Sequence, residues 1–316
     1  MAAACSQISS NTVRPKVSSA RLIYPFLSRT INALVMKKFI AAFDGLDFSE
    51  STLQYAIHLT QKANAHLVGV FLEDFTRRSY GMNELAHYSG EDMDSYVHEM
   101  DEKDKHVRDE SIDRFKKACS AAGISHTIHR DRNVALQELL HESIYADLLI
   151  IGSAETLTRY EEGLPTRFLR DLLNDVQCPV VVVPATYQAF DSLILLYDGE
   201  PSSVHAVRTF SYLFEDLKSL PTEIVSVKEQ REAAVLPDAR LIREYVRGHF
   251  PAADAVILKG DPDDVIIGYL QRKKNSSLVV LGAYQRSRFS RLFKPSMADH
   301  LLQHLKLPLF IAHNKS

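Results

Sequence analysis

A chain of 316 residues exceeds what one ordinary core of ~100–200 residues needs, so two domains are expected. Its 46% apolar and 24% charged residues can build a sizeable core, which excludes a disordered or fibrous chain. The 37 Lys and Arg against 40 Asp and Glu supply no field that would gather nucleic acid or an anionic membrane, and neither partner is expected. Cys5, Cys119 and Cys178 are odd in number, far apart and without a CxxC pair. This argues against a disulfide framework or zinc ribbon and for a reducing cytoplasm.

Residues 1–35 hold no acid, four bases (Arg14, Lys16, Arg21, Arg29) and many serines, a bias that superficially suits an organelle transit peptide. Little helical amphipathicity and no clear cleavage site favour a disordered extension or upstream read-through, with Met36 as the expected start. The longest apolar stretch there, Leu22 to Leu27, contains Pro25 and falls far short of the ~20 residues of a membrane span; no other segment spans either. A strand is expected from Phe39 to Phe43, ending in Asp44-Gly45. Ser49 then precedes Leu53, Ala56 and Ile57 and is expected to cap a helix. Between Arg77 and Arg108 the chain is acidic, with Glu91, Asp92, Asp94, Glu99, Asp101, Glu102 and Asp104. Met93, Tyr96, Val97, Met100, Val107, Ser111, Phe115 and Cys119 recur at three to four residue steps, which predicts one long amphipathic helix stopping at Gly123, its acids a solvated face. Calcium or a partner on those acids is the weaker reading, because they alternate with Lys103 and Lys105 and lack EF-hand spacing. His126 and His129 fall in a strand and point to opposite faces, which makes them a poor ligand pair. A buried strand from Leu148 to Ile151 leads to Gly152, then to Pro165-Thr166 and a helix carrying Phe168, Leu169, Leu172, Leu173 and Val176. The half closes on Cys178-Pro179 and four valines, and Cys178 reads as inert and buried.

The remainder repeats this order. Leu193 to Gly199 matches Phe39 to Gly45 at an offset of 154, and Ser203 stands where Ser49 does, so a second helix cap is expected there. Further on the offset is 130: Asp131 pairs with Asp261, Leu148–Gly152 with Leu278–Gly282, Pro165 with Pro295 and Thr166 with Ser296. A strand from Leu307 to Ala312 closes the second half. The drop in offset places about 24 extra residues in the acidic region of the first half. Near-continuous apolar strands separated by helical patterns imply parallel strands covered on both faces by crossover helices. The expected division is 1–35 extension, 36–187 first domain and 190–316 second domain. In such sheets ligands sit beyond strand carboxyl ends where the strand order reverses, and Asp44, Gly152, Asp198 and Gly282 all lie at such ends. His300 and His304, at i and i+4 on the last helix, have the spacing of two zinc ligands but no third partner. No HExxH, GxSxG, Walker or GxGxxG run occurs, so no enzyme activity is expected.

Gly152-Ser-Ala-Glu155, nine residues and Pro165-Thr166, and Gly282-Ala-Tyr-Gln285, nine residues and Pro295-Ser296, resemble the GxxGx9G[ST] loop of the universal stress protein family. The DG-x3-S opening, the CPVVVVP ending and the order of elements resemble the same family, twice over. The resemblance implies an α/β fold of two tandem flavodoxin-like or Rossmann-like domains, similar to adenine nucleotide alpha hydrolases, each with a five-stranded parallel sheet. It also implies pairing of the halves about a pseudo-twofold axis through their last strands and, in one subclass, bound ATP. In that subclass the first strand-end Asp contacts the nucleoside, and the loop glycines and hydroxyl hold phosphates. Carried over, this assigns Asp44, Gly152 and Thr166, with the neighbouring Ile151 and Glu155, to a first site. A second site takes Asp198, Gly282 and Ser296, with Leu281 and Gln285 beside them.

Two loop glycines are replaced in each half, by Glu155 and Pro165 and by Gln285 and Pro295. A phosphate cradle needs backbone N–H groups brought close, and proline offers none. A hydroxyl and a helix N-terminus remain. From Gly152 to Thr166 three glutamates face one arginine, whereas from Gly282 to Ser296 there are Arg286, Arg288, Arg291 and Lys294 and no acid. Repulsion disfavours phosphate in the first loop and attraction favours it in the second. The expectation is a tandem stress-response binding or scaffold protein without turnover, internally paired and open to homodimer formation. The alternatives are a sensor holding ATP, AMP or another anion in the second half, and, more weakly, a slow ATP hydrolase.

Overall fold

A computed structural model describes residues 36–73, 78–131, 134–158, 160–228, 234–273, 276–282 and 297–312. The first half runs β1 (Lys38–Asp44), α1 (Glu50–Ala63), β2 (His66–Leu72), α2 (Met82–Leu85), α3 (Glu91–Ala121), β3 (His126–Asp131), α4 (Ala135–Ile144), β4 (Leu148–Gly152), α5 (Arg167–Asp175) and β5 (Val180–Val183). The second runs β6 (Ser192–Leu196), α6 (Pro201–Leu213), a 3₁₀ turn (Asp216–Ser219), β7 (Thr222–Lys228), α7 (Ala239–His249), β8 (Ala253–Lys259), α8 (Pro262–Gln271), β9 (Ser277–Gly282), α9 (Met297–His304) and β10 (Leu309–Ala312).

The strands form one sheet in the order β3-β2-β1-β4-β5-β10-β9-β6-β7-β8. Neighbours are parallel except at the centre, where Val182, Val181 and Val180 face Leu309, Phe310 and Ile311 in antiparallel register. Each half is thus the five-stranded parallel unit expected, and the two join through their last strands. The apolar runs of the strands have their cause in burial on both faces. Phe39, Ala41 and Phe43 pack under α1 and α3 in a core that continues through Phe310 to Phe210 and Val207 of α6 and Ile242 of α7. Ile40 and Ala42 face the other way, into a core shared by α4, α5, α8 and α9. Strand order reverses between β1 and β4 and again between β6 and β9, which opens a crevice at the carboxyl ends of each pair.

The long acidic helix is α3, 31 residues against 11 for its counterpart α7. It ends as expected beside Gly123, whose φ of +68° is the left-handed value that terminates helices. Ser49 caps α1 by accepting from Thr52 N. Ser203 does not cap α6: that helix begins at Pro201 after Glu200, and Ser203 lies inside its first turn with Oγ donating to Glu200 O at 2.9 Å. Proline's fixed φ suits the first helical position, where its missing N–H costs nothing, so the helix starts earlier than the serine alone suggests. His126 meets the Phe115 ring on one face while His129 pairs with Glu142 on the other.

Candidate functional site

Both crevices start with an acid at a strand end. Asp44 Oδ1 accepts from Leu46 N at 2.8 Å and Asp198 Oδ1 from Glu200 N at 2.9 Å, so each carboxylate closes its own Asx turn. There the likeness ends. Asp44 is buried, and Asp198 is exposed.

The first crevice is filled by its own loop. Leu157 turns into the core at φ +50° and is buried, which swings Glu155 inward over the β1 end. Its carboxylate accepts from Leu157 N at 3.3 Å. Burial and, next, the Asp44 carboxylate push the Glu155 pKa up to about 8; the Leu157 N–H pulls the other way and Asp47 adds a smaller upward push. The Thr166 hydroxyl is used twice, donating to Glu155 O at 2.5 Å and accepting from Leu169 N at 3.1 Å as the cap of α5. Thr166 is fully buried. A phosphate would have to break both bonds to reach it. Pro165, in a cis peptide with Leu164, is buried beside it.

The inserted helix closes the same crevice from the other side, which the sequence pattern did not reveal. Ser111 Oγ donates to Gly45 O at 2.9 Å, the Arg108 stem lies against Gly45, and Arg114 pairs with Glu50 over the Phe48 ring. Arg130 bridges Glu73 and Asp109 at 2.8 and 2.9 Å at the edge of the crevice. The one trace of these contacts in the sequence is the helical spacing that puts Ser111 on the inner face of α3.

In the second crevice Gly282 ends β9 directly under the first turn of α6. A Cβ there would strike the Ser202 carbonyl and lie 2.8 Å from Ser203 N, whereas a Cβ on Gly152 would meet the Thr52 hydroxyl at 3.2 Å and the Ser49 hydroxyl at 3.9 Å. Gly199 takes φ +90° and lies against Pro237, whose carbonyl accepts from Tyr197 OH at 3.1 Å. Ile151 and Leu281 point away from both crevices into the core under α5 and α9. Gln285, Arg286, Arg288 and Ser296, the part of the second site that includes its arginines, lie outside the described residues.

His304 Nδ1 is 2.8 Å from the His300 carbonyl, and His300 approaches Asp263 at 3.8 Å. Among the described residues no group of three His, Cys, Asp or Glu is placed to hold a metal ion. Among them, too, no helix is long and apolar enough to cross a membrane.

The comparisons with known proteins agree with this geometry. The model of the universal stress protein family matches residues 36–184 and again 185–313. A universal stress protein from Archaeoglobus fulgidus superposes with a TM-score of 0.64 at 16% identity, over 87% of this chain and 98% of that one. A functionally unknown protein from Pseudomonas aeruginosa follows the same fold with a TM-score of 0.53 at 12% identity, over 88% of this chain and 93% of that one. No curated protein matches the chain. With the strand order, the strand-end acids and the double family match in agreement, the chain belongs to the universal stress protein family, with two copies of the family's domain in tandem.

Proposed function

We propose that this tandem universal stress protein acts in the stress response by binding, without turnover, and that its two halves have divided the work. The first half, its crevice filled by its own loop and by α3, serves as a scaffold. An adenine nucleotide such as ATP or AMP, or another anion, is held in the second half. The observation that carries this reading is the contrast between the strand-end acids: Asp44 is buried under Glu155, while Asp198 is exposed, and in sequence the segment from Gly282 to Ser296 carries four cations and no acid. An anion near Glu155 would meet the carboxylates of Asp44 and Asp47, whereas one drawn to the segment that follows Gly282 would meet cations with no acid among them. Hydrolysis would further need a metal and a positioned water. The buried thiols Cys119 and Cys178 suit a reducing compartment such as the cytoplasm.

Thermal melting with and without millimolar ATP or AMP plus Mg²⁺ tests the reading, since a ligand that binds the folded state raises the midpoint. The expected result is an upward shift that Arg288→Glu abolishes and Arg159→Glu leaves intact. Equal effects of the two substitutions would reject the asymmetry. No shift in the native protein would leave the scaffold role alone standing, and release of phosphate would replace it with a hydrolase.

A further inference from the structure

The helix between the second and third strands has diverged in charge between the two halves. In the first half, residues 91–103 of α3 contain six acids and one lysine, and none of them is buried. The buried positions of α3 begin only at Asp104, so this amino-terminal stretch projects past the sheet. Tyr80 and Tyr88 close on Tyr96 along its inner side, with ring centroids 6.2 and 4.4 Å away, which leaves Glu91, Asp92, Asp94 and Glu102 outward. In the second half, α7 buries Ile242 and Val246 and turns Arg240, Arg243 and Arg247 to solvent at i, i+3 and i+7, one stripe of a helix face that also carries the exposed Glu244 and keeps a net positive charge. Leu241 stands 58% exposed next to that stripe. Among the described residues no ion pair engages these three arginines, and none engages Glu91, Asp92 or Asp94.

The two faces match in length, about 20 Å for the acidic stretch and about 16 Å for α7 at ~1.5 Å per residue. They cannot meet within one molecule. α3 and α7 cover β2 and β7, which stand second and ninth in the sheet, and seven strand spacings of ~4.8 Å hold them roughly 30 Å apart. Both helices nevertheless pack on the same face of the sheet.

We propose that the acidic end of α3 docks on the arginine stripe of α7 in a second copy of the chain. Because the helices share a face and lie at opposite ends of it, a twofold axis that sets two such faces together makes the contact twice and closes the pair as a dimer. A second copy is favoured over self-pairing of α3, which would set six acids against six. The attraction acts between exposed charges, so the dimer weakens as salt rises.

The test is sedimentation or light scattering of the full chain and two triple variants, Glu91→Lys/Asp92→Lys/Asp94→Lys and Arg240→Glu/Arg243→Glu/Arg247→Glu. All six positions are exposed, and an unchanged melting midpoint shows that each variant folds. The native chain is expected to be dimeric at low salt and to dissociate at high salt. Each variant alone is expected to be monomeric under conditions where the native chain pairs, and an equimolar mixture of the two is expected to recover the dimer mass, because every acidic face then finds a basic one. A native monomer at low salt, a dimer indifferent to either reversal, sensitivity to only one of them, or a mixture that stays monomeric would each overturn the proposal.

Discussion

Glu155 concentrates the chemistry of the first half in one side chain. Its pKa is raised from the ordinary 4.5 to about 8, so between those values the unfolded chain releases a proton that the folded chain keeps. Stability therefore falls as pH rises through that window. At ~1.4 kcal/mol per pH unit the stability lost across the window is at most about 5 kcal/mol. Glu155→Gln is expected to flatten this part of the profile, raising the midpoint above about pH 8 and changing it little near pH 5. A profile unchanged by the substitution would show that Glu155 does not carry it. The two strand-end glycines make a second contrast. Gly282→Ala forces a methyl into the backbone of α6 and is expected to cost about 2–4 kcal/mol, while Gly152→Ala, facing a rotatable hydroxyl at 3.2 Å, is expected to cost about 1 kcal/mol or less in urea denaturation. Gly282 is thus required by packing whatever the neighbouring loop binds.

At the level of elements, the loop between β4 and α5 is organised by the cap of the helix that follows it. Thr166→Ala removes the acceptor for Leu169 N and the donor to Glu155 O together, an expected loss of about 2–3 kcal/mol, and Thr166→Ser is expected to restore most of it. Equal losses for Ala and Ser would assign the effect to the methyl group instead. The same logic separates α1 from α6. Ser49 and Ser203 share a place in the repeat, yet the first caps its helix and the second is enclosed by it, because Pro201 moves the start of α6 forward. The periodicity of α3 made its length, its stop at Gly123 and most of its acidic outer face readable in advance, but Asp104, expected among the solvated acids, is buried and accepts from Ser79 N at 3.0 Å. Its role as the lace over the Gly45 turn was not readable, since Ser111 and Gly45 are 66 residues apart and nothing local to either position encodes the meeting.

Among the described residues the two halves share one sheet with two continuous cores, and they are tied at more than the β5–β10 seam. Phe310 lies between the Phe210 and Phe214 rings at 5.2 and 6.4 Å, and Phe214 reaches Phe39 of the first half at 5.8 Å. Lys37 Nζ donates to Leu213 O at 2.6 Å, and Tyr55 OH donates to the Gln188 carbonyl in the connecting segment. Unfolding is therefore expected as a single transition, and Phe310→Ala, which empties a fully buried site, is expected to lower stability by about 3–5 kcal/mol without splitting it. Two resolved calorimetric peaks would show that the halves unfold independently. The amino-acid sequence alone determined the six central strands, the tandem repeat and the places of Asp44, Asp198, Gly152 and Gly282 at strand ends, because burial on two faces writes itself into local apolar runs and a duplicated pattern is visible without coordinates. Only the tertiary structure decided that the first crevice is occupied by Glu155, that the Thr166 hydroxyl is already spent on its own loop, and that α3 closes the far side. Those outcomes depend on which side chains the folded backbone brings within hydrogen-bond reach, and that is a property of distances across the fold.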